Sequence, residues 1–499
     1  MLKPQLFTLI LLACFSFSYL SAETIEDDLS GFADEELSQD LDGFSDESLD
    51  ELSGVSEETN SDKDLEGFTD EDLVEVEEEP RSESSPYTLS GNVAFKTSVG
   101  YRQHAVDGIE YSGFNQAQTS VYLQFDTKLS DNWKLRVSGD AFYDAIYALR
   151  DNTNDFSQEV LDDYETQLRL DDTYIQGRIT NSLDLKVGRQ IVVWGKSDSI
   201  RITDVINPLD NRLPGMTDIE DLRLSVGMTK FDYYIGQWNV SAMIIAENRI
   251  MLEATPRGEY FPIDSIFSVP GGVVDPFPTL VTPSTSWDNM QYALAFNGVF
   301  EGWDLSFYAA DVLDQKWHFI QNPSPTTPLS DRTVSKIKML GSAINISEGS
   351  WLYKTEAAFL EGIKYNNTLD EKNRLDILVG VDYMGIRDTT LSLELANRHI
   401  FDYETKMQFQ ADFVDEDEMQ TALRLTRSFQ NDTINLTALV SMFGRTWEYG
   451  GFSRVSVEYE VMDAVIANFG IVDYIGGDRP FMEGIKNNDR VFADISYSF

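Results

Sequence analysis

The 499-residue chain carries 85 acidic and 38 basic residues, a formal charge of −47, with three histidines and one cysteine. That balance excludes a nucleic-acid binder, which needs a basic face, and lone Cys14 excludes a disulfide scaffold or a thiolate metal site. Beyond the extreme N-terminus, no window holds the roughly 18 uncharged apolar residues of a helical membrane span.

Residues 1–22 have the grammar of a secretory signal peptide. Met1 and Lys3 give a short positive start, Leu6 to Leu20 is apolar and uncharged, and Leu20-Ser21-Ala22 offers a small-residue cleavage site before Glu23. Two other readings are an uncleaved anchor and a lipoprotein signal ending at Leu12-Ala13-Cys14. The apolar run continues past Cys14, which favours ordinary cleavage and a mature chain without cysteine.

Residues 23–85 form an acidic arm with 26 acidic and 2 basic residues. A short unit recurs as Leu29-Ser30-Gly31-Phe32, Leu41-Asp42-Gly43-Phe44 and Leu65-Glu66-Gly67-Phe68, with a degenerate copy at Leu52-Ser53-Gly54-Val55. Leu37, Leu49 and Leu73 each fall five residues after the phenylalanine of their unit. Nothing here can bury a core, so a disordered arm is expected. Its repeated Phe/Leu pairs suit docking to a grooved partner, with several copies adding avidity. A solvated spacer is the plainer reading. Asp62, Asp64, Glu66 and Gly67 imitate half of a calcium loop, but the twelfth position is Leu73 where a bidentate Glu is needed.

From residue 86 to 499 the pattern is period two. Val121, Leu123, Phe125 and Leu129 alternate with polar neighbours, as do Leu375, Ile377, Val379, Val381 and Tyr383, and Val455, Val457, Tyr459 and Val461. Such alternation marks strands with one apolar face. Three observations point that face at lipid. Short turns at 130–132, 180–182, 236–237, 301–302, 348–350, 387–388, 430–432 and 462–463 alternate with mostly longer connections around 103–116, 149–164, 195–219, 251–285, 314–330 and 403–415. All eight tryptophans fall near strand ends: Trp133, Trp238, Trp303 and Trp351 after short turns, and Trp194, Trp287, Trp317 and Trp447 near long connections. That placement suggests two aromatic belts. Phe499, with Tyr497, Ile495, Ala493 and Val491 at alternate positions before it, resembles the sorting signal that barrel-assembly machinery reads. The expectation is an all-β transmembrane antiparallel barrel in a bacterial outer membrane, surrounded by its lipids. The count is about 18 strands, with 16 also compatible.

One stretch stands out chemically. Val187-Gly188-Arg189-Gln190 runs through Trp194-Gly195-Lys196-Ser197-Asp198 to Asn207-Pro208-Leu209-Asp210, and Lys196, Arg201 and Arg212 interleave with Asp198, Asp204 and Asp210. A loop so rich in paired charge could fold into the lumen and narrow it. Arg189, Trp194, Lys196, Asp198, Arg201, Asp204, Asn207 and Asp210 are therefore the candidate constriction or loop-anchor residues. An ordinary strand end with a salt-bridged loop is the plain alternative. Alternation from Leu183, Leu185 and Val187 would aim Arg189 at lipid, so either a bulge at Gly188 re-aims it inward or it lies near the membrane interface. Gly188-Arg189-Gln190, Trp194-Gly195 with Ser197, and Asn207-Pro208 with Asp210 resemble the hallmark stretch of a proteobacterial outer-membrane barrel family, known only as the domain of unknown function numbered thirteen hundred and two. The Gly-Arg-Gln is more weakly similar to alginate-export-type porins. The resemblance implies association with exporters of the resistance–nodulation–division (RND) type and passage of a hydrophobic or lipid-like cargo.

The long 251–287 connection holds Phe261, Phe267, Val273 and Phe277 among six prolines, which suits either a plug at the mouth or packing on neighbouring loops. Catalysis has little support: His104, His318 and His399 have no metal-ligand spacing and no nucleophile elbow is present. No catalytic residue, metal site or cofactor is nominated. The leading reading is an outer-membrane transport channel or conduit whose arm docks periplasmic or inner-membrane partners. The alternatives are a structural or adhesion barrel, or a general porin to which Asp126, Asp376 and Glu458 would give a cation preference.

Overall fold

A computed structural model describes residues 87–106, 108–150, 156–261, 277–321 and 330–499. The signal peptide, Cys14 and the acidic arm with Phe32, Phe44, Phe68, Leu37, Leu49 and Leu73 lie outside the described residues.

Eighteen antiparallel strands form one closed sheet. The first six are β1 Tyr87–Gly100, β2 Gly113–Ser130, β3 Trp133–Asp144, β4 Thr166–Thr180, β5 Leu183–Gln190 and β6 Val226–Ile235. Then come β7 Trp238–Ile245, β8 Gln291–Phe300, β9 Trp303–Leu313, β10 Lys336–Glu348, β11 Trp351–Ile363 and β12 Lys372–Ile386. The last six are β13 Thr389–Ile400, β14 Asp417–Phe429, β15 Ile434–Phe443, β16 Gly451–Met462, β17 Val465–Ile475 and β18 Arg490–Ser498. Each strand pairs with its sequence neighbours. β1 closes the ring against β18, with Asn92 opposite Ser498 and Gly100 opposite Arg490. Closure removes every open edge, which a strand structure in hydrocarbon requires.

The expected short turns are all present, at one end of the barrel. The six expected long connections are present too, and three more join them at 364–371, 444–450 and 476–489. The first two are short enough to pass for turns in the sequence, whereas 476–489 carries a short helix, Pro480–Ile485. The alternating faces point as the residues require: Ile377 and Val379 are 42% and 50% exposed on the outside of β12, while Asp376, Leu378 and Asp382 are buried inside. The same holds for Tyr292 and Phe296 against Ala293 and Ala295 on β8, and for Leu393 and Leu395 against Glu394 and Ala396 on β13. A closed, even-stranded barrel with an apolar exterior and a charged interior is an outer-membrane barrel.

At the short-turn end the aromatic belt is real. Trp303 stacks on Phe300 with centroids 4.3 Å apart, Trp238 meets the same ring edge-on, and Trp351 lies 4.4 Å from Tyr383. The belt expected at the other end is not built as read. Trp287 and Trp447 are exposed, but Trp194 is buried inside the barrel and Trp317 packs among the outer loops against Phe277 and Phe319. Both rings find protein partners for their faces, so neither lies in the interface.

Candidate constriction of the lumen

The connection between β5 and β6, residues 191–225, turns inward and packs on the far wall. Ile200, Ile202, Ile206 and Trp194 are at most 4% exposed and join a cluster with Met339, Ala358 and Leu378 of the wall strands. The wall makes room by carrying small inward residues there: Ala293 and Ala295 on β8, Ala310 on β9, Ala343 on β10, Ala358 on β11 and Ala396 on β13. Trp194 stacks on Tyr308 of β9 with centroids 4.7 Å apart.

Two wall carboxylates hold the loop backbone. Glu356 on β11 accepts from the backbone N–H groups of Lys196 (2.5 Å) and Ser197 (2.8 Å) through Oε1, and from Thr203 N–H (3.2 Å) and Oγ1 (2.8 Å) through Oε2. Glu394 on β13 accepts from Asp198 N–H at 2.7 Å and Ser199 N–H at 3.1 Å. Consecutive amides converging on one carboxylate form an anion-binding concavity, and here the anion belongs to the protein. Gly195 makes the approach possible. It sits at φ +90°, where a side chain is strained, and a Cβ would lie 2.8 Å from both Glu356 oxygens.

Of the candidate residues, Trp194, Lys196, Asp198, Arg201, Asp204 and Asn207 come together in this wall-to-loop unit. Lys196 reaches Asp304 of β9 at 3.5 Å, and Asp198 pairs with Lys354 of β11, which also holds Asp382 at 2.7 Å. Asp204 is shared by Arg201 (3.2 Å) and Arg223 (2.9 Å). Asn207 is fully buried and pins the two stems of the loop: its Oδ1 accepts from Val192 N–H at 2.8 Å, and its Nδ2 donates to the Gln190 and Leu224 carbonyls. Asp210 lies higher, between Arg212 (2.6 Å) and Arg169 of β4 (3.1 Å). Burial would raise its carboxyl, but the two arginines outweigh that and hold it below its usual value.

Arg189 stands apart. Its register partners, Thr173 of β4 and Gly227 of β6, sit on the outward face, so the alternation runs on unbroken. Gly188 has φ +132° without shifting the register, and a Cβ there would come within 2.1 Å of the Thr173 carbonyl. Arg189 therefore points outward at the rim near the end of β5, where Glu247 pairs with it at 2.5 Å. The inward re-aiming at Gly188 does not occur; a charge paired near the interface costs far less than one at the bilayer centre.

Beyond the loop, towards the long connections, lies a cavity of about 650 Å³. The loop supplies Ile200, Leu209 and Leu222 to its lining. The opposite side supplies Phe443, Phe452 and Tyr474 from β15, β16 and β17, together with Arg398, Arg424 and Arg479. Asp218 of the loop crosses to Arg424 at 2.9 Å and also contacts Arg454 of β16. These wall partners were legible only as charges alternating with apolar residues in strands, such as Arg424 between Leu423 and Leu425 or Glu356 in Tyr353–Phe359. Of the acids expected to bias the lumen, Asp126 is matched by Arg136 at 2.8 Å and Asp376 by Arg374 at 2.7 Å. The described ends of the 251–287 connection pack on their neighbours: Tyr260, Phe261 and Phe277 share a cluster with Tyr474, Met482 and Ile485.

None of the curated proteins matches the chain by sequence. Among solved structures, outer membrane protein OccAB1 of Acinetobacter baumannii is 9% identical with a TM-score of 0.47, over 83% of this chain and 96% of that one. Outer membrane protein opdK of Pseudomonas aeruginosa is 10% identical with a TM-score of 0.45, over 83% and 99%. OmpT, an outer membrane protein of Vibrio cholerae, is 10% identical with a TM-score of 0.40, over 83% and 99%. Likeness at this level says nothing of cargo. The family model described as a protein of unknown function (DUF1302) matches residues 34–499, and the chain belongs to that family.

Proposed function

We propose that this outer-membrane barrel is a narrow transport conduit whose constriction is the β5–β6 loop, passing small molecules of amphipathic or hydrophobic character. The observation that carries the reading is the placement of residues 191–225 inside the lumen, held by Glu356 and Glu394, beside a cavity of about 650 Å³ with a largely apolar lining. A general porin would need a wide aqueous lumen, and a purely structural barrel would have no use for an apolar chamber with charged groups at its edge. The acidic arm, residues 23–85, is the element that docks a periplasmic or RND-type inner-membrane partner for hand-over. Single-channel recording of the mature chain tests the conduit. The intact protein gives small currents, and replacement of residues 196–222 by a short Gly-Ser bridge gives currents several-fold larger. Equal currents from both folded forms would remove the constriction, and silence from both would remove the conduit.

A further inference from the structure

Asp218 is the loop carboxylate that crosses to β14 and β16, and two arginines receive it. Arg424 on β14 and Arg454 on β16 face each other across Leu439 of β15, which is in register with both. Their spacing is thus set by the barrel and not by the loop. The Arg454 side chain is 5% exposed and that of Arg424 19%. Two guanidiniums converge on this one carboxylate, with Glu220 and Asp221 of the same loop segment within electrostatic reach, and their planar donors match the two oxygens of a carboxylate. Arg398 lines the same cavity; its ion partner Asp376 lies 3.9 Å away and is already held by Arg374 at 2.7 Å, and its terminal nitrogens donate to Gln420 and the Arg201 carbonyl at 3.3 Å each. Three further acids border the cavity, and Asp198 among them pairs with Lys354. Asp412 accepts the backbone N–H groups of Asn366 and Asn367 at 2.7 Å each, and Glu418 pairs with Arg479 at 2.5 Å. An entering anion therefore meets donors at this wall.

The loop is fastened unevenly. Residues 195–207 hang on Glu356, Glu394 and the Asn207 pin, whereas between Gly215 and Asp221 the polar hold on the wall is Asp218. We propose that Arg424 and Arg454 form an anion-binding site that Asp218 fills as a tethered ligand. A small amphipathic carboxylate entering the cavity displaces it, rests its apolar part on Phe443 and Phe452, and releases residues 215–221. Exchange of one carboxylate for another keeps the arginines satisfied throughout, so the apolar contacts decide the competition. The tethered aspartate competes at an effective concentration on the order of millimolar. Removing its charge therefore strengthens binding of a free ligand.

This inference rests on the cavity being part of the transport path, yet its test reads binding and not current. The mature chain in lipid nanodiscs is titrated calorimetrically with 3-phenylpropionate, with 3-phenylpropan-1-ol and 3-phenylpropylamine as neutral and cationic controls. Gel mobility before and after heating certifies each folded barrel. Asp218→Asn should bind the carboxylate at least tenfold more tightly than the unaltered chain, and both controls at least tenfold more weakly than the carboxylate. Arg424→Gln, and Arg424→Gln with Arg454→Gln, should lose tenfold or more. Amine binding as tight as the carboxylate, no gain in Asp218→Asn, or no loss in the arginine variants overturns the proposal. This binding pattern in a barrel silent in bilayers would remove the conduit and leave the site, and conduction without it would do the reverse.

Discussion

Glu356→Ala should unlatch the constriction. The side chain is 1% exposed and its two oxygens accept four hydrogen bonds from Lys196, Ser197 and Thr203 at 2.5 to 3.2 Å. A hydrogen bond to a charged acceptor contributes about 1.5–3 kcal/mol, and these four are not additive because they share one carboxylate. Truncation also leaves three backbone N–H groups facing an apolar gap, so the loss should be about 3–5 kcal/mol of loop docking. At 1.4 kcal/mol per decade, that shifts the docked-to-undocked ratio by roughly a hundredfold to a few thousandfold. The barrel wall keeps its own ladders and should still form. Two readouts follow: single-channel conductance rises, and Trp194, buried on Tyr308, moves to a wetter environment with red-shifted emission. Gly195→Ala should do the same by pressing a methyl group onto the Glu356 carboxylate. A folded Glu356→Ala barrel with unchanged conductance and unchanged Trp194 emission would refute the latch.

Other expectations follow from single residues. Gly188→Ala forces a strained φ and a contact within 2.1 Å of the Thr173 carbonyl, so it should lower the yield of refolded barrel seen as heat-modifiable mobility. Arg189→Ala breaks a part-exposed rim pair with Glu247; it should cost about 1 kcal/mol in denaturant unfolding and leave conductance and ion preference untouched. Asp210 is held below its usual carboxyl value, so the stability it gives the loop is complete above about pH 4 and falls away as pH drops through the folded value. Asp210→Asn should accordingly flatten the acid dependence of loop proteolysis below about pH 4, and an unchanged acid limb would reject that linkage.

The membrane fold was open to reading because its determinants are local. Turn residues sit beside the tryptophans that open strands, and alternation alone assigns Ile377 and Val379 to lipid and Asp376 and Asp382 to the lumen. The inward loop was legible as an excess of paired charge between Lys196 and Asp210. Its partners were not, because Glu356, Glu394 and Arg454 lie more than 150 residues away and strand alternation gives a face but no height or azimuth. Trp194 misleads for the same reason: a ring at a strand end can lie in the interface or turn inward onto Tyr308, and both produce one local pattern. Arg189 misleads in the opposite sense, since only the position of Glu247 reveals why a charge is tolerated on the outward face.

Residues 191–225 lie against the far wall of the lumen, and disulfide trapping tests that contact. A Cβ on Gly341 of β10 would lie 3.0 Å from the Thr203 methyl carbon, close enough for a bond between cysteines at the two positions. Thr203→Cys with Gly341→Cys, in a chain of residues 23–499, which otherwise lacks cysteine, should oxidise to a single intramolecular bridge in the folded barrel, read by mass spectrometry. It should also hold the channel at its low-conductance level until reductant is added. Two free thiols in an oxidised, heat-modifiable barrel would contradict the account.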